Sequence, residues 1–342
     1  MRTRARLVLL LLALAWVPLL PASSATGIVR EPVSFTVTNL LAPGQTFTIK
    51  GTMIRPRAGC TGSVLLAMHG LSYGAWAWDF PLRRDTYSVA QALAKRGYAM
   101  VAVDRLGYGS SAGAGAPDHP NGYTLTVEGY AEMAAQMARQ LRAGNYHSAH
   151  PMPFAHVGLI GHSAGTEVVE LAAGLHPGIA DIVIATAYTH EPFVNNFWLA
   201  REWVLGDNPR ALQSDYEYFE TDPATRAADF YTDNADADVI ALDNKLAHLT
   251  PSGEVFTISP QPSRFVLWRI GVPTLVVLAE RDALFPASFT AQEKLYFVGA
   301  TDLTFFTARG DGHTFFLHRN APAINARIAD WLKRRSSVFP TC

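Results

Sequence analysis

The order of apolar runs and amphipathic segments predicts an α/β chain built on a doubly wound, mostly parallel sheet. Residues 63–68, 98–104, 179–187 and 272–279 are continuous apolar runs rather than alternating ones, the pattern of strands buried on both faces. Segments with helical spacing stand between them, at 86–96 and 126–142 among others. Each strand–helix–strand alternation implies a right-handed parallel crossover.

The chain has 342 residues, enough for one large α/β domain with an insertion or for two domains. Its formal net charge of −1 gives no electrostatic footprint for nucleic acid or for an anionic membrane. With 49% hydrophobic and only 17% charged residues, it has the material for a large core. Part of that excess lies in residues 1–25, which read as a secretory signal. Arg2, Arg4 and Arg6 precede an apolar run from Leu7 to Val17, and small residues end in Ser23 and Ala25. Cleavage after Ala25 and export are expected. The run is shorter than the roughly 20 residues a spanning helix needs, so no stable membrane anchor is expected. Cys60 and Cys342 are the two cysteines; an oxidising compartment would permit a disulfide between them, and two free thiols are the alternative.

In chain order, residues 33–38 and 46–54 alternate around Pro43-Gly44 and read as an antiparallel hairpin that opens the sheet. The buried strand at 63–68 follows, ending in His69-Gly70-Leu71. The helical stretch 86–96 is closed by Gly97, the usual C-terminal cap residue. The strand at 98–104 ends in Asp104, and Asp104 is read as structural. Gly107 to Gly115 lacks the Lys-Ser/Thr of a phosphate loop and the spacing of a dinucleotide loop. Residues 126–142 form an amphipathic helix. A short apolar strand then runs into Gly161-His162-Ser163-Ala164-Gly165, and a helix follows from Thr166.

Gly161-His162-Ser163-Ala164-Gly165 fits a serine on a tight strand-to-helix turn. Strained backbone there leaves no room for bulky neighbours two positions away. The helix N-terminus behind the turn favours developing negative charge. The pentapeptide is the G-x-S-x-G nucleophile elbow, and the chain resembles the α/β-hydrolase family, with the fold of that name. The resemblance implies that Ser163 is the nucleophile. In the family the His-Gly-x turn donates the x backbone N–H to the oxyanion; that position is Leu71, and Ala164 gives the second N–H. The resemblance further places the triad acid at Asp282, after the strand at 272–279, and the histidine at His313 in the Gly310-Asp311-Gly312-His313 loop. This keeps the order nucleophile, acid, histidine. A serine hydroxyl needs a neighbouring base, and a carboxylate fixes the tautomer of the histidine that serves.

Among the 11 His, His162 adjoins the nucleophile but points elsewhere, and His318 lies past the loop. Asp311 is too close to His313 in sequence to present its carboxylate easily. From 189 to 269 the sequence turns aromatic and acidic, and the resemblance implies a helical cap inserted late in the sheet. The expected division is 26–188 and 270–342 for the two parts of the core, around that insertion. Tyr73, Trp76 and His190 are candidates for contact with substrate. No cluster of metal-ligating residues and no cofactor motif stands out. The expected function is an exported serine hydrolase acting on carboxylic esters of hydrophobic small molecules or lipids. Amide, peptide or lactone hydrolysis and acyl transfer on the same triad are alternatives, as is a non-catalytic hydrolase-like binding protein. Oligomeric state is left open.

Overall fold

The computed structural model describes residues 27–57, 62–191 and 217–341. The expected signal at residues 1–25, both cysteines and residues 192–216 of the expected insertion lie outside these residues. Strands β1 (Ile28–Thr38) and β2 (Thr46–Pro56) pair antiparallel in continuous register from Ile28 opposite Pro56 to Thr38 opposite Thr46. Both are longer than their alternation predicts, because irregular pairs such as Val29–Arg55 extend the ladder beyond the apolar pattern.

After β3 (Ser63–Met68) come two short helices, α1 (Arg84–Tyr87) and α2 (Val89–Ala94). The sequence reads as one helix here. Ser88 breaks it: its backbone is extended, and its hydroxyl accepts from the Gln91 N–H as an N-cap. Strand β4 (Ala99–Val103) leads to helix α3 (Val127–Ala143), capped by the Thr126 hydroxyl at one end and by left-handed Gly144 at the other. Strand β5 (His156–His162), helix α4 (Ala164–Leu175) and strand β6 (Ile182–Thr186) follow.

The described part of the expected insertion holds a two-stranded ribbon and three short helices. These are β7 (Tyr218–Phe219), α5 (Pro223–Phe230), α6 (Ala237–Leu246), β8 (Thr250–Pro251) and α7 (Ser252–Ile258). The sheet resumes with β9 (Thr274–Ala279), then α8 (Thr290–Glu293), β10 (Leu303–Ala308) and the closing helix α9 (Ala321–Lys333).

The eight-stranded sheet runs β1-β2-β4-β3-β5-β6-β9-β10. All pairs from β4 to β10 are parallel, and β1–β2 and β2–β4 are antiparallel. Successive side chains of β3 alternate between two cores. Val64, Leu66 and Met68 pack with α3 and α4, while Leu65 and Ala67 pack with α2 and α9. Each buried Leu, Ile or Val contributes roughly 1.5–3 kcal/mol relative to exposure. Burial on both faces explains the unbroken apolar runs. From β3 the chain goes to β4 on one side and then to β5 on the other. Their carboxyl ends therefore flank the switch point at which open α/β sheets form their crevice.

Candidate active site

Ser163 sits between β5 and α4 with φ 55° and ψ −127°, outside the regions ordinary residues occupy. Such geometry costs about 1–3 kcal/mol and persists only when its surroundings hold it. Thr186 and Thr166 do so. The Ser163 N–H donates to the Thr186 carbonyl at 2.9 Å, and the Thr166 N–H donates to the Ser163 carbonyl at 2.7 Å. The Thr166 hydroxyl donates to the Thr186 carbonyl at 2.8 Å and accepts from the Thr186 N–H at 2.9 Å. The Thr186 hydroxyl donates to the Gly161 carbonyl at 2.6 Å.

The two glycines of the turn are required by close approach. A Cβ on Gly161 would lie 2.3 Å from the Gly165 carbonyl oxygen, and one on Gly165 would lie 2.2 Å from that of Met68. The turn after β3 is as close to the serine itself. A Cβ on Gly70 would stand 3.0 Å from Ser163 Cβ and 3.5 Å from its Oγ. Among the described residues, the N–H groups of Leu71 and Ala164 enter no hydrogen bond, so both are free to receive an oxyanion.

His69 has a structural role. Its Nε2 accepts from the Arg105 N–H at 3.0 Å, so its proton is on Nδ1, which donates to the Gly70 carbonyl at 2.8 Å. Burial, aided by the Arg105 charge, holds the ring well below its ordinary pKa, and it stays neutral. Asp104 is structural as well, accepting from the Ala75 N–H at 2.6 Å and from the Ser110 N–H at 2.8 Å.

Asp282 follows β9 and His313 follows β10, so both loops open at the same sheet edge as Ser163. His313 Nδ1 and Asp282 Oδ2 are 2.9 Å apart, both residues buried. The other carboxylate oxygen accepts from the N–H groups of Leu284 and Phe285 at 2.8 and 3.0 Å. Both oxygens of the Asp282 carboxylate are thus engaged. Rings of His162, Phe230 and Phe285 surround His313, with centroids 5.2, 5.2 and 5.7 Å away. Among the described residues, neither Ser163 Oγ nor His313 Nε2 makes a hydrogen bond. The rival groups are engaged elsewhere. His162 Nδ1 faces the Thr186 hydroxyl at 3.1 Å, His318 Nε2 accepts from the N–H groups of Thr232 and Gly312, and Asp311 accepts from Asn234 and Asn320.

The family model of the alpha/beta hydrolases matches residues 64–326. The chain belongs to the alpha/beta hydrolase family. An esterase from Thermogutta terrifontis superposes with a TM-score of 0.60 at 17% identity, covering 90% of this chain and 99% of that one. A monoacylglycerol lipase from Paleococcus ferrophilus gives 0.56 at 18% identity, covering 81% and 95%. A bromoperoxidase from Bacillus anthracis gives 0.60 at 18% identity, covering 87% and 100%. No curated protein matches the sequence. At these identities the structural likeness is one of alpha/beta hydrolase fold.

The remaining expected residues divide. Tyr73 is buried beside the site, stacked on Phe230 at 5.7 Å with its hydroxyl 2.9 Å from that of Thr314, and Trp76 packs on its ring at 5.1 Å. His190, expected to contact substrate, is instead a core residue. Its Nδ1 lies 2.7 Å from Glu293 and its Nε2 2.6 Å from the Ser263 hydroxyl, which in turn donates to Glu167 at 2.5 Å. With both nitrogens engaged and no exposure, it has no edge left for a ligand. Glu167, Glu170 and His190 bring one ligand atom each within 4.8 Å of one another, a metal-like spacing that composition and motif do not disclose. Two glutamates in the otherwise apolar face of α4 were the available signal. The buried ion pairs Arg105–Glu254 and Arg226–Asp243 were not legible either, since their partners are about 149 and 17 residues apart in sequence.

Proposed function

We propose that the protein is an exported serine hydrolase that cleaves carboxylic esters of hydrophobic small molecules or lipids through an acyl-enzyme on Ser163. The observation that carries this reading is the His313–Asp282 hydrogen bond of 2.9 Å, made at the edge where the strained Ser163 stands against Gly70. In this mechanism Ser163 Oγ attacks the ester carbonyl carbon while His313 Nε2 takes the hydroxyl proton. The carbonyl oxygen becomes an oxyanion between the N–H groups of Leu71 and Ala164. Collapse expels the alcohol, which takes the proton from His313. Water, deprotonated by the same nitrogen, then attacks the acyl carbon; the Ser163 Oγ–acyl bond breaks, His313 returns the proton to Oγ, and the acid leaves. Asp282 keeps the Nδ1 proton and stabilises the imidazolium.

Unoccupied Oγ and Nε2 fit a site whose catalytic hydrogen bond tightens when substrate binds. Tyr73, Trp76, Phe230 and Phe285 supply apolar surface around it, which favours a hydrophobic acyl or alcohol group. The basic start and apolar run of residues 1–25 support export.

Turnover of p-nitrophenyl esters from acetate to palmitate tests the reading. Wild-type protein is expected to hydrolyse part of the series, with kcat in Ser163→Ala and His313→Ala lower by about 10³-fold or more. Turnover in wild type that survives both substitutions would refute the assignment.

A further inference from the structure

The turn that carries Leu71 is held by charges buried where water does not reach. Arg105 touches it at two points. Its backbone N–H donates to His69 Nε2 at 3.0 Å, and its guanidinium Nη2 donates to the Gly70 carbonyl at 3.2 Å. The guanidinium lies between the rings of Tyr108 and Tyr130, 4.9 and 4.7 Å from their centroids. Its Nη1 donates to Glu254 of α7, whose other oxygen accepts from the Tyr108 hydroxyl at 2.5 Å. Arg105 and Glu254 are both fully buried.

The segment from 217 to 269 holds the other side of the turn. Arg226, paired with Asp243 at 2.6 Å, donates to the Ser72 hydroxyl, which donates to the Leu71 carbonyl at 2.6 Å. The Ser72 N–H donates to the Thr250 hydroxyl at 3.0 Å, and the Ser72 carbonyl accepts from the His248 N–H at 2.8 Å. Ser72 itself is in the left-handed region at φ 61°, a conformation such contacts must maintain.

We propose that the Arg105–Glu254 pair is a positioning element for the oxyanion site. It fixes and polarises the Gly70–Leu71 peptide, and it ties that peptide to the 217–269 segment. The physical link is the peptide unit itself. The carbonyl of Gly70 and the N–H of Leu71 are two ends of one planar amide. Three donors reach that oxygen, the Tyr73 N–H at 3.4 Å beside His69 Nδ1 and the cationic guanidinium, and the latter two, being closer, fix the plane and draw electrons from the nitrogen. The Leu71 N–H becomes a stronger donor toward a negative oxygen, the cooperative effect of a hydrogen-bond chain in low dielectric. Glu254 keeps the guanidinium in place and balances its charge, so that the cation can stand beside the site without shifting away. Neither residue touches substrate. The inference rests on the serine-hydrolase reading above.

The test uses two variants of the full chain, with rates expressed per Ser163 titrated by a fluorophosphonate. In Arg105→Lys a single ammonium can pair with Glu254 but lacks the fork that also reaches Gly70. In the double variant Arg105→Met with Glu254→Met, both charges leave together, so no orphaned charge threatens the fold. We expect kcat to fall about 10- to 100-fold in each, with KM within about twofold, because the oxyanion exists only in the transition state. Affinity for an aryl trifluoromethyl ketone, whose serine adduct carries that oxyanion, should weaken by the same factor. A role confined to stability would lower the titrated fraction and leave both per-site values unchanged. That result in either folded variant overturns the proposal. Wild-type protein that neither turns over esters nor reacts at Ser163 would instead overturn the functional reading, and this inference with it.

Discussion

At the scale of single residues, the site depends on groups that are over-determined by their neighbours. Asp282 has one oxygen fixed by two backbone N–H groups and the other aimed at His313. Asp282→Asn preserves the shape and the turn contacts. Its amide would offer an N–H to His313 Nδ1 and favour the tautomer whose proton is on Nε2, leaving no base for Ser163. We expect kcat for esters to fall by about 10⁴-fold with KM little changed, a comparison steady-state kinetics with a folded variant settles. Ser163, Asp282 and His313 could be proposed from sequence because each sits in a short local pattern that the proposed chemistry demands. Thr166 and Thr186 could not. Their part in holding the strained serine depends on bonds across 20 positions, and threonine in a helix or at a strand end is unremarkable by itself. His190 was misplaced for a related reason. Nothing local marks it as a core residue, whereas Glu293, about 103 residues away, draws it into the core.

At the scale of the element, α4 does more than support Ser163 at its N-terminus. Glu167 and Glu170 project from it into a fully buried cluster with His190, Ser263 and Glu293. Burial opposes charge on the His190 ring, but the Glu293 and Glu167 carboxylates outweigh it and hold the ring protonated well above its ordinary range. Burial likewise pushes Glu170 well above the carboxylate range, so that it keeps its proton. Both shifts have the same sign for stability. Above about pH 4.3 the unfolded chain releases the Glu170 proton that the native state retains, and above about 6.5 the same holds for His190. Their contribution is therefore full in acid and declines as pH rises toward the native pKa values, by up to about 1.4 kcal/mol per pH unit for each group. Glu170→Gln removes one of the two protons from this balance. Thermal melts from pH 4 to 9 should show wild type and variant alike in acid, with the variant losing less stability at alkaline pH. Parallel pH profiles would contradict the charge states assigned to α4.

At the scale of the whole molecule, the parallel order of β4, β3, β5, β6, β9 and β10 follows from apolar runs that must be covered on both faces. That pattern was legible, as was the hairpin at the antiparallel edge. The segment from 217 to 269 was legible only as a change of composition. Its three short helices owe their places to tertiary contacts, Arg226 over Tyr73 and Glu254 on Arg105 among them, that no periodicity encodes. These contacts make the segment part of the site's frame, because both buried ion pairs end on the turn that carries Leu71. On the proposed reading, sheet, loops and segment together hold one activated serine. Reaction of the purified protein with a fluorophosphonate, followed by peptide mass spectrometry, tests it most directly. A single adduct is expected on Ser163, absent in Ser163→Ala and formed far more slowly in His313→Ala. A folded protein that takes no adduct, or takes it on another serine, would contradict it.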